Sequence, residues 1–364
     1  MDISNIDKNF AAEKVSWEKA TVYRLPCEPF EICGLLSAEP GEIKRLPDEV
    51  ALQCNEPLRQ MYVCPSGGRI RFCTDSEKII IKCAEPDMLP SPHMAFTGSH
   101  CFDLYADREY IGVFRPDTSG SGKHVSRKDF YTSQGYDSLL RLHGHKMREI
   151  LIHFPLYSRV DEVLIALDEG SAVSPPAPYK AEKPFVFYGT SVTQGGCVSH
   201  PGNNYPAILS RWLDSDFINL GFSDGGRGEQ DMAKYIATLD MSALVLNYDG
   251  NVRNPERLSE VYEPFYRTVR DARPGLPIVF ATNMFDYYGD DFTARGRDLI
   301  KEIYLRVSAE DKNVYFIDGL AAIAPYGGTD TCSVEHCHAN DLGSWVYAKA
   351  LEPLLRKIIF NGGL

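Results

Sequence analysis

The sequence predicts an all-β sandwich of jelly-roll type followed by a three-layer α/β/α unit built on a parallel sheet. Three observations carry that prediction. Up to about residue 170 short strand-like bursts succeed one another with few helical stretches, which is the grammar of an antiparallel sandwich. Residues 169–184, EGSAVSPPAPYKAEKP, are rich in proline and small residues and read as a linker. After them, apolar runs alternate with helix-like segments, the pattern of a doubly wound sheet. A chain of 364 residues is about twice the usual size of one domain, and the expected boundaries are 1–176 and 184–364.

In the first half, GGRIRFCTDSEKIIIKC (67–83) reads as two strands joined by a polar turn. MAFTGSHCFDLYADREYIGVFRPD (94–117) reads the same way, with ADRE as its turn, and MREILIHFP and VDEVLIALDEG continue the series. In the second half the strand candidates are FVFYG, DFINLG, ALVLNYD, PIVFATN and VYFIDG. Residues 255–272, PERLSEVYEPFYRTVRDA, place proline at a first helical position and apolar residues at helical spacing. A last helix is expected to start near Asp341.

Composition narrows the function classes. The chain is 44% hydrophobic and 24% charged, as in an ordinary globular protein. A net charge of −12 argues against a nucleic-acid groove or an anionic membrane surface as partner. The N-terminus MDISNIDKNFAAEKVSWEKA lacks a basic start followed by an apolar run, so no signal peptide is expected. No window approaches about 18 apolar residues, so no membrane span is expected either. The ten cysteines then read as free thiols of a reducing, cytoplasmic compartment. Self-association into a homo-oligomer stays open.

In such a sheet ligands sit at the carboxyl ends of the strands. The first apolar run is followed by Ser191, the second by Phe222, Ser223, Asp224 and Gly225, and the third by Asp249, Gly250 and Asn251. The fifth run, after a loop, is followed by CSVEHCHANDLG (332–343), with Glu335, His336 and His338. A hydroxyl, an amide, a carboxylate and imidazoles on one rim are the inventory of acyl transfer. A serine hydroxyl needs a base to take its proton, and histidine does this near neutral pH. A carboxylate on the other ring nitrogen fixes the tautomer. Backbone N–H groups at a strand-to-helix turn and an asparagine amide can hold the developing oxyanion.

These residues resemble the sequence blocks of the SGNH or GDSL hydrolases. GTSVTQGG looks like the first block, with Ser191 as nucleophile, and NLGFSDGG (219–226) is similar to the second. YDGN (248–251) resembles the third, with Asn251 at the oxyanion asparagine, and EHCHANDLG resembles the last, with Glu335 three residues before the catalytic His338. CFDLY (101–105) is similar to the Gly-x-Asp-Leu-Tyr motif of the β-sandwich that precedes one two-domain subgroup, with Cys101 in place of its glycine. The resemblance implies a flavodoxin-like α/β/α layer order and a serine esterase without metal or organic cofactor. It also implies a small acyl ester as substrate, an acetylated sugar in particular, and an oxyanion hole made by the N–H groups of Ser191 and Asp224 (or Gly225) and the Asn251 amide.

The chain departs from the family pattern in three places. Asp224 stands where the second block usually has glycine. A carboxylate about 4 Å from an oxyanion, at an effective dielectric of about 20, repels it by about 4 kcal/mol, and Arg227 is close enough in sequence to neutralise it. Glu335 replaces the usual aspartate, and His336 fills a position that is commonly small. Two alternatives to the hydrolase therefore stand beside it: acyl transfer to an alcohol, and a carbohydrate-binding protein with reduced or lost catalysis. CSVEHCH also invites a zinc reading through Cys332, His336, Cys337 and His338, but its spacing does not match the usual paired ligand pattern. Cys197 and Cys337 read as small buried hydrophobes, and Asp103–Tyr105 as strand core.

Overall fold

The computed structural model describes residues 3, 6–11, 13–84, 91–116, 135–287 and 291–360. The N-terminal part is two antiparallel sheets. One has the order β1 (Ala20–Arg24), β9 (Glu162–Asp168), β4 (Lys78–Ala84), β7 (Tyr136–Arg141). The other runs β10 (Val173–Ser174), β3 (Arg69–Thr74), β8 (Arg148–His153), β5 (Phe102–Ala106), β6 (Glu109–Phe114), with β2 (Glu31–Cys33) also pairing β3. Period-two alternation sets the faces. Ile79, Ile81, Ile165 and Leu167 meet Ile70, Phe72, Ile150 and Ile152 in one core. Ile80 and Ala166 point the other way and are covered by Val15 and Trp17 from the N-terminal segment.

Two local expectations are modified. The strands read from 67–83 exist, but β3 and β4 lie in different sheets, so the turn between them crosses the sandwich. Asp168 holds that crossing by accepting from the backbone N–H groups of Glu77 at 3.0 Å and Lys78 at 3.1 Å. The first residues of 94–117 form a helical turn, Phe96–Ser99, rather than a strand. The β5–β6 hairpin closes through Asp107 and Arg108, at φ 50° and 73°, the two left-handed residues that suit the twist of a tight hairpin.

The C-terminal part is a five-stranded parallel sheet in the order β12 (Phe217–Gly221), β11 (Phe185–Gly189), β13 (Ala243–Asn247), β14 (Ile278–Ala281), β15 (Val314–Ile317). Each strand is apolar on both faces because helices cover both. Phe185 and Phe187 pack towards helices Tyr205–Leu213 and Asp341–Phe360. Val186 and Tyr188 face helices Gln230–Thr238, Pro255–Ala272 and Phe292–Val307. The helix expected over 255–272 spans those residues, with Asn254 accepting from the Arg257 N–H at its start. The chain order reverses at β11, which puts the switch point, where such sheets bind ligands, at the carboxyl ends of β11 and β13.

Residues 169–184 include β10 and lead from one part to the other, but the two parts share side chains extensively. Leu46, Ala51, Cys54 and Leu58, on and beside the short helices Asp48–Ala51 and Glu56–Met61, are buried in the same cluster as Tyr188, Leu220, Met232 and Ile236. The buried Arg45 donates to the carbonyls of Gly221 (2.6 Å), Asn219 (3.1 Å) and Met61 (2.8 Å).

A second junction is centred on Asp103, which is fully buried. One carboxylate oxygen meets His153 Nδ1 at 2.7 Å; the other meets His200 Nδ1 at 2.6 Å and accepts from the Gly202 N–H at 2.6 Å. Burial on its own would raise the Asp103 pKa, but its two histidine partners outweigh that and hold it below the ordinary carboxylate range. Burial lowers the pKa of His153, favouring the neutral ring. The aspartate of the DLY segment is therefore a junction between the two parts, not strand core alone. Truncating it leaves three buried donors without an acceptor. Asp103→Ala is expected to cost about 3–5 kcal/mol, read as a lower midpoint in equilibrium urea unfolding.

Candidate active site

Ser191 is separated from the end of β11 by one residue, Thr190, and is the first residue of the short helix Ser191–Gln194. Thr190 caps that helix, its hydroxyl accepting from the Val192 N–H at 3.2 Å. Ser191 is 7% exposed. The fourth loop reaches the same end of the sheet. A Cβ built on Gly196 would lie 3.0 Å from His338 Cδ2, 3.3 Å from the Tyr157 hydroxyl and 3.4 Å from the Ser191 carbonyl oxygen. The His338 ring thus rests closely on Gly196, where a side chain would need its neighbours to shift by a few tenths of an ångström. Its Nδ1 is hydrogen-bonded to Glu335 Oε1, so the longer glutamate does reach the ring. The Ser191 hydroxyl and His338 are not hydrogen-bonded to each other.

His336 does not take that place. Its side chain is exposed, it adopts φ 64°, and its backbone N–H donates to the Ser333 hydroxyl at 3.0 Å. Asp341, at the start of the last helix, accepts from the Ser199 N–H at 2.8 Å and so ties that helix to the loop after Ser191.

The second loop explains its own departure from the family pattern. Asp224 has φ 53°, a left-handed conformation that glycine adopts freely and aspartate tolerates. Its side chain is exposed and paired with Arg227 at 2.8 Å, as the sequence suggested. The Gly225 N–H donates to Phe222 O at 3.0 Å, and a Cβ on Gly225 would meet the Leu58 backbone at 2.8 Å. Gly225 therefore serves the turn and its packing, and the expectation that it could supply an oxyanion donor is corrected.

Asn251 also differs from expectation. Its side-chain amide donates to Phe222 O and to Gly226 O, both at 3.0 Å. An amide nitrogen carries two hydrogens, so both are engaged. In this arrangement Asn251 holds the third loop against the second instead of facing a reacting oxygen.

Sequence reasoning missed the supports of this rim. Gln194 accepts from the Ser223 N–H at 2.8 Å and donates to Leu156 O at 3.0 Å. The Tyr157 hydroxyl donates to Ser191 O at 3.3 Å. Asn55 donates to Gly225 O at 2.7 Å. Three of these contacts bring groups of the N-terminal part (Leu156, Tyr157 and Asn55) under the candidate site. No motif signals them, because each is a single residue whose partner lies far along the chain. Beyond Asp224 and Asn251 lies a polar groove of about 700 Å³, lined among others by Asn55, Arg227, Glu229 and Arg253.

Electrostatics assign protonation states. Burial works against charge on His338, but Cys337 and the Glu335 carboxylate outweigh it and leave the ring above its ordinary 6.5. Burial, reinforced by the Glu335 charge, pushes the Cys197 thiol up to about 12, so it is no competing nucleophile at neutral pH. Of the zinc candidates weighed from sequence, Cys332 is buried elsewhere, near Tyr326. The donors that do converge are His93, Cys197, Glu335 and His338, whose ligand atoms lie within 4.8 Å of one another.

Asp249 is a liability within the third loop. One carboxylate oxygen accepts from the Asn283 N–H at 2.8 Å, and the other is buried without a partner. Burial raises its pKa from 3.8 to about 6. The cost of that charge is absent below pH 3.8, grows up to about pH 6 and is complete above it. Asp249→Asn keeps an acceptor for Asn283 and removes the charge. It is expected to stabilise the protein by up to about 3 kcal/mol at pH 8 and not at pH 3.5, as measured by denaturant unfolding at the two pH values.

Comparisons agree with this architecture. The GDSL-like lipase/acylhydrolase family model matches residues 182–356, and the model for the N-terminus of SGNH-hydrolase-type esterases, GxDLY, matches residues 25–173. No curated protein matches the chain. Among solved structures, a protein named as a GDSL-like lipase from Bacteroides ovatus superposes with a TM-score of 0.79 at 25% identity, covering 93% of this chain and 98% of that one. The salicylyl-acyltransferase SsfX3 from a tetracycline biosynthetic pathway gives 0.74 at 16% identity, over 94% and 99%. An acetyl xylan esterase from Butyrivibrio proteoclasticus gives 0.56 at 13% identity, over 93% and 98%. The two models together account for both the antiparallel sheets and the parallel sheet, and the chain belongs to the SGNH/GDSL-type esterases, in the subgroup with a GxDLY-type N-terminal part.

Proposed function

We propose that the protein hydrolyses a small acyl ester of a polyhydroxylated alcohol, such as an acetylated sugar, through an acyl-enzyme on Ser191. The observation that carries this reading is the placement of Ser191 at the carboxyl end of β11, beside the His338–Glu335 pair. His338 takes the hydroxyl proton as Ser191 attacks the carbonyl carbon, and Glu335 orients the ring and stabilises the imidazolium. The backbone N–H groups of Ser191 and Asp224 receive the oxyanion. Asn251 would join them only by giving up one of its two carbonyls, so its first task is to hold the loop that presents Asp224. His338 then returns the proton to the leaving alcohol, and water releases the acyl group by the same route.

The near-complete burial of Ser191 as a residue favours a short acyl chain. The polar groove beyond Asp224 and Asn251 suits a hydroxylated alcohol. Pairing with Arg227 removes most of the repulsion that Asp224 would exert on the oxyanion, which supports an active enzyme over a binding protein.

The test is a set of variants assayed with p-nitrophenyl acetate and an acetylated sugar. Ser191→Ala is expected to lose at least about a thousand-fold in kcat and to lose labelling by a fluorophosphonate. Full activity in that variant would overturn the reading, and an added alcohol that competes with water as acyl acceptor would redirect it to transfer. His338 works as a base only when neutral, so kcat/KM is expected to rise with pH through a midpoint above 6.5. Glu335→Gln removes a charge that raises that midpoint. It is expected to move it to lower pH while reducing the plateau by about 10²–10⁴-fold, as read from the pH–rate profile.

A further inference from the structure

We infer that His93, Cys197, Glu335 and His338 form a binding site for a zinc-class divalent cation, and that its occupation switches the esterase off. The four donors come from separate stretches of chain. His93 lies in the segment before the helical turn Phe96–Ser99, Cys197 in the loop after the Ser191 helix, and Glu335 and His338 in the fourth loop. Their ligand atoms lie within 4.8 Å of one another. The His93 and His338 rings are 5.5 Å apart between centroids, and His93 Nδ1 is held by the Ser91 hydroxyl at 2.9 Å, which leaves its Nε2 for a ligand. Tetrahedral zinc with bonds of about 2.0–2.3 Å sets its donors about 3.3–3.8 Å apart, so the cluster has to contract by about 1 Å.

The donor set selects the ion. Two imidazoles, a thiolate and a carboxylate suit zinc rather than magnesium or calcium, which prefer oxygen alone. On binding, the Cys197 thiol gives its proton to solvent, and the thiolate and carboxylate together balance the two positive charges of the ion. Catalysis, as read above, needs neither Cys197 nor His93, and yet both stand beside the acid–base pair.

Inhibition follows from the valence of imidazole. A neutral ring has one lone pair and one N–H. If the metal takes Nε2, the lone pair that would accept the serine proton is occupied. If it takes Nδ1, the ring proton must move to Nε2, which then cannot accept. Either geometry removes the base. This consequence rests on the role given to His338; the binding site itself does not.

The experiment uses the full chain with Co²⁺ as a spectroscopic probe and Zn²⁺ in the ester assay. Co²⁺ is expected to produce a thiolate charge-transfer band in the near ultraviolet at about one equivalent. That band should disappear in Cys197→Ala and persist in Ser191→Ala. Zinc is expected to inhibit hydrolysis of p-nitrophenyl acetate reversibly, with activity restored by EDTA. Cys197→Ala and the exposed His93→Ala should each raise the inhibitory zinc concentration about 10–100-fold with metal-free activity retained. A wild-type protein that gives no cobalt–thiolate band, or a band that survives Cys197→Ala, overturns the site. A normal band with no zinc inhibition of an active esterase overturns the switch. A normal band in a protein with no esterase activity at all leaves the site standing and removes the proposed function instead.

Discussion

The structure depends on the Asp103 carboxylate, buried between two imidazoles and a backbone N–H at the junction of its two parts. Taking a carboxylate out of water is costly unless its oxygens are fully hydrogen-bonded. Here three donors, from β8 and from the loop around His200 and Gly202, meet that requirement. The loop they fix is the one that follows Ser191. Thr97 adds a hydrogen bond to Ser199 O at 2.6 Å, and Asp341 holds the Ser199 N–H from the last helix. The segment that carries Gly196 and Cys197 is thus clamped from both parts, and the His338 ring rests on it. A polar contact outside the candidate site sets the floor on which that site stands.

The parallel sheet was legible in the sequence because strands covered on both faces become unbroken apolar runs, as in Phe185–Gly189 and Ala243–Asn247. The helix Pro255–Ala272 was legible because Asn254 and Pro255 mark its start by a local mechanism. The partnership of β3 and β4 was not, since a three-residue polar turn looks the same whether it closes a hairpin or crosses between sheets. Ser191, Glu335 and His338 are legible as candidates because their residue types follow strand ends in the expected order. Asn251 is legible as a candidate too, but the direction of its amide is not, because that is decided by the carbonyls of Phe222 and Gly226 in another loop. His93 carries no local signal. A histidine beside prolines gains meaning only once folding brings it to Cys197.

Asp224 shows how a departure from a family pattern can be accommodated physically. The position needs a left-handed backbone, and aspartate enters that region at lower cost than most non-glycine residues. The charge it introduces is turned outward onto Arg227. Beside Asp224, Gly225 packs against Leu58 and the Gly226 carbonyl accepts from the Asn251 amide. Both the backbone conformation and the charge of Asp224 are thus accommodated within this loop.

The burial of Leu46, Ala51, Cys54 and Leu58 among the helices of the parallel sheet bears on whether the second part of the chain could stand alone. Severing the chain in its proline-rich connection would strip those four side chains from the second half and open an oily seam beside Leu220 and Met232. It would also leave the carbonyls at the end of β12 without the Arg45 guanidinium. The interior of the parallel-sheet part is thus closed by side chains that the first part of the chain supplies.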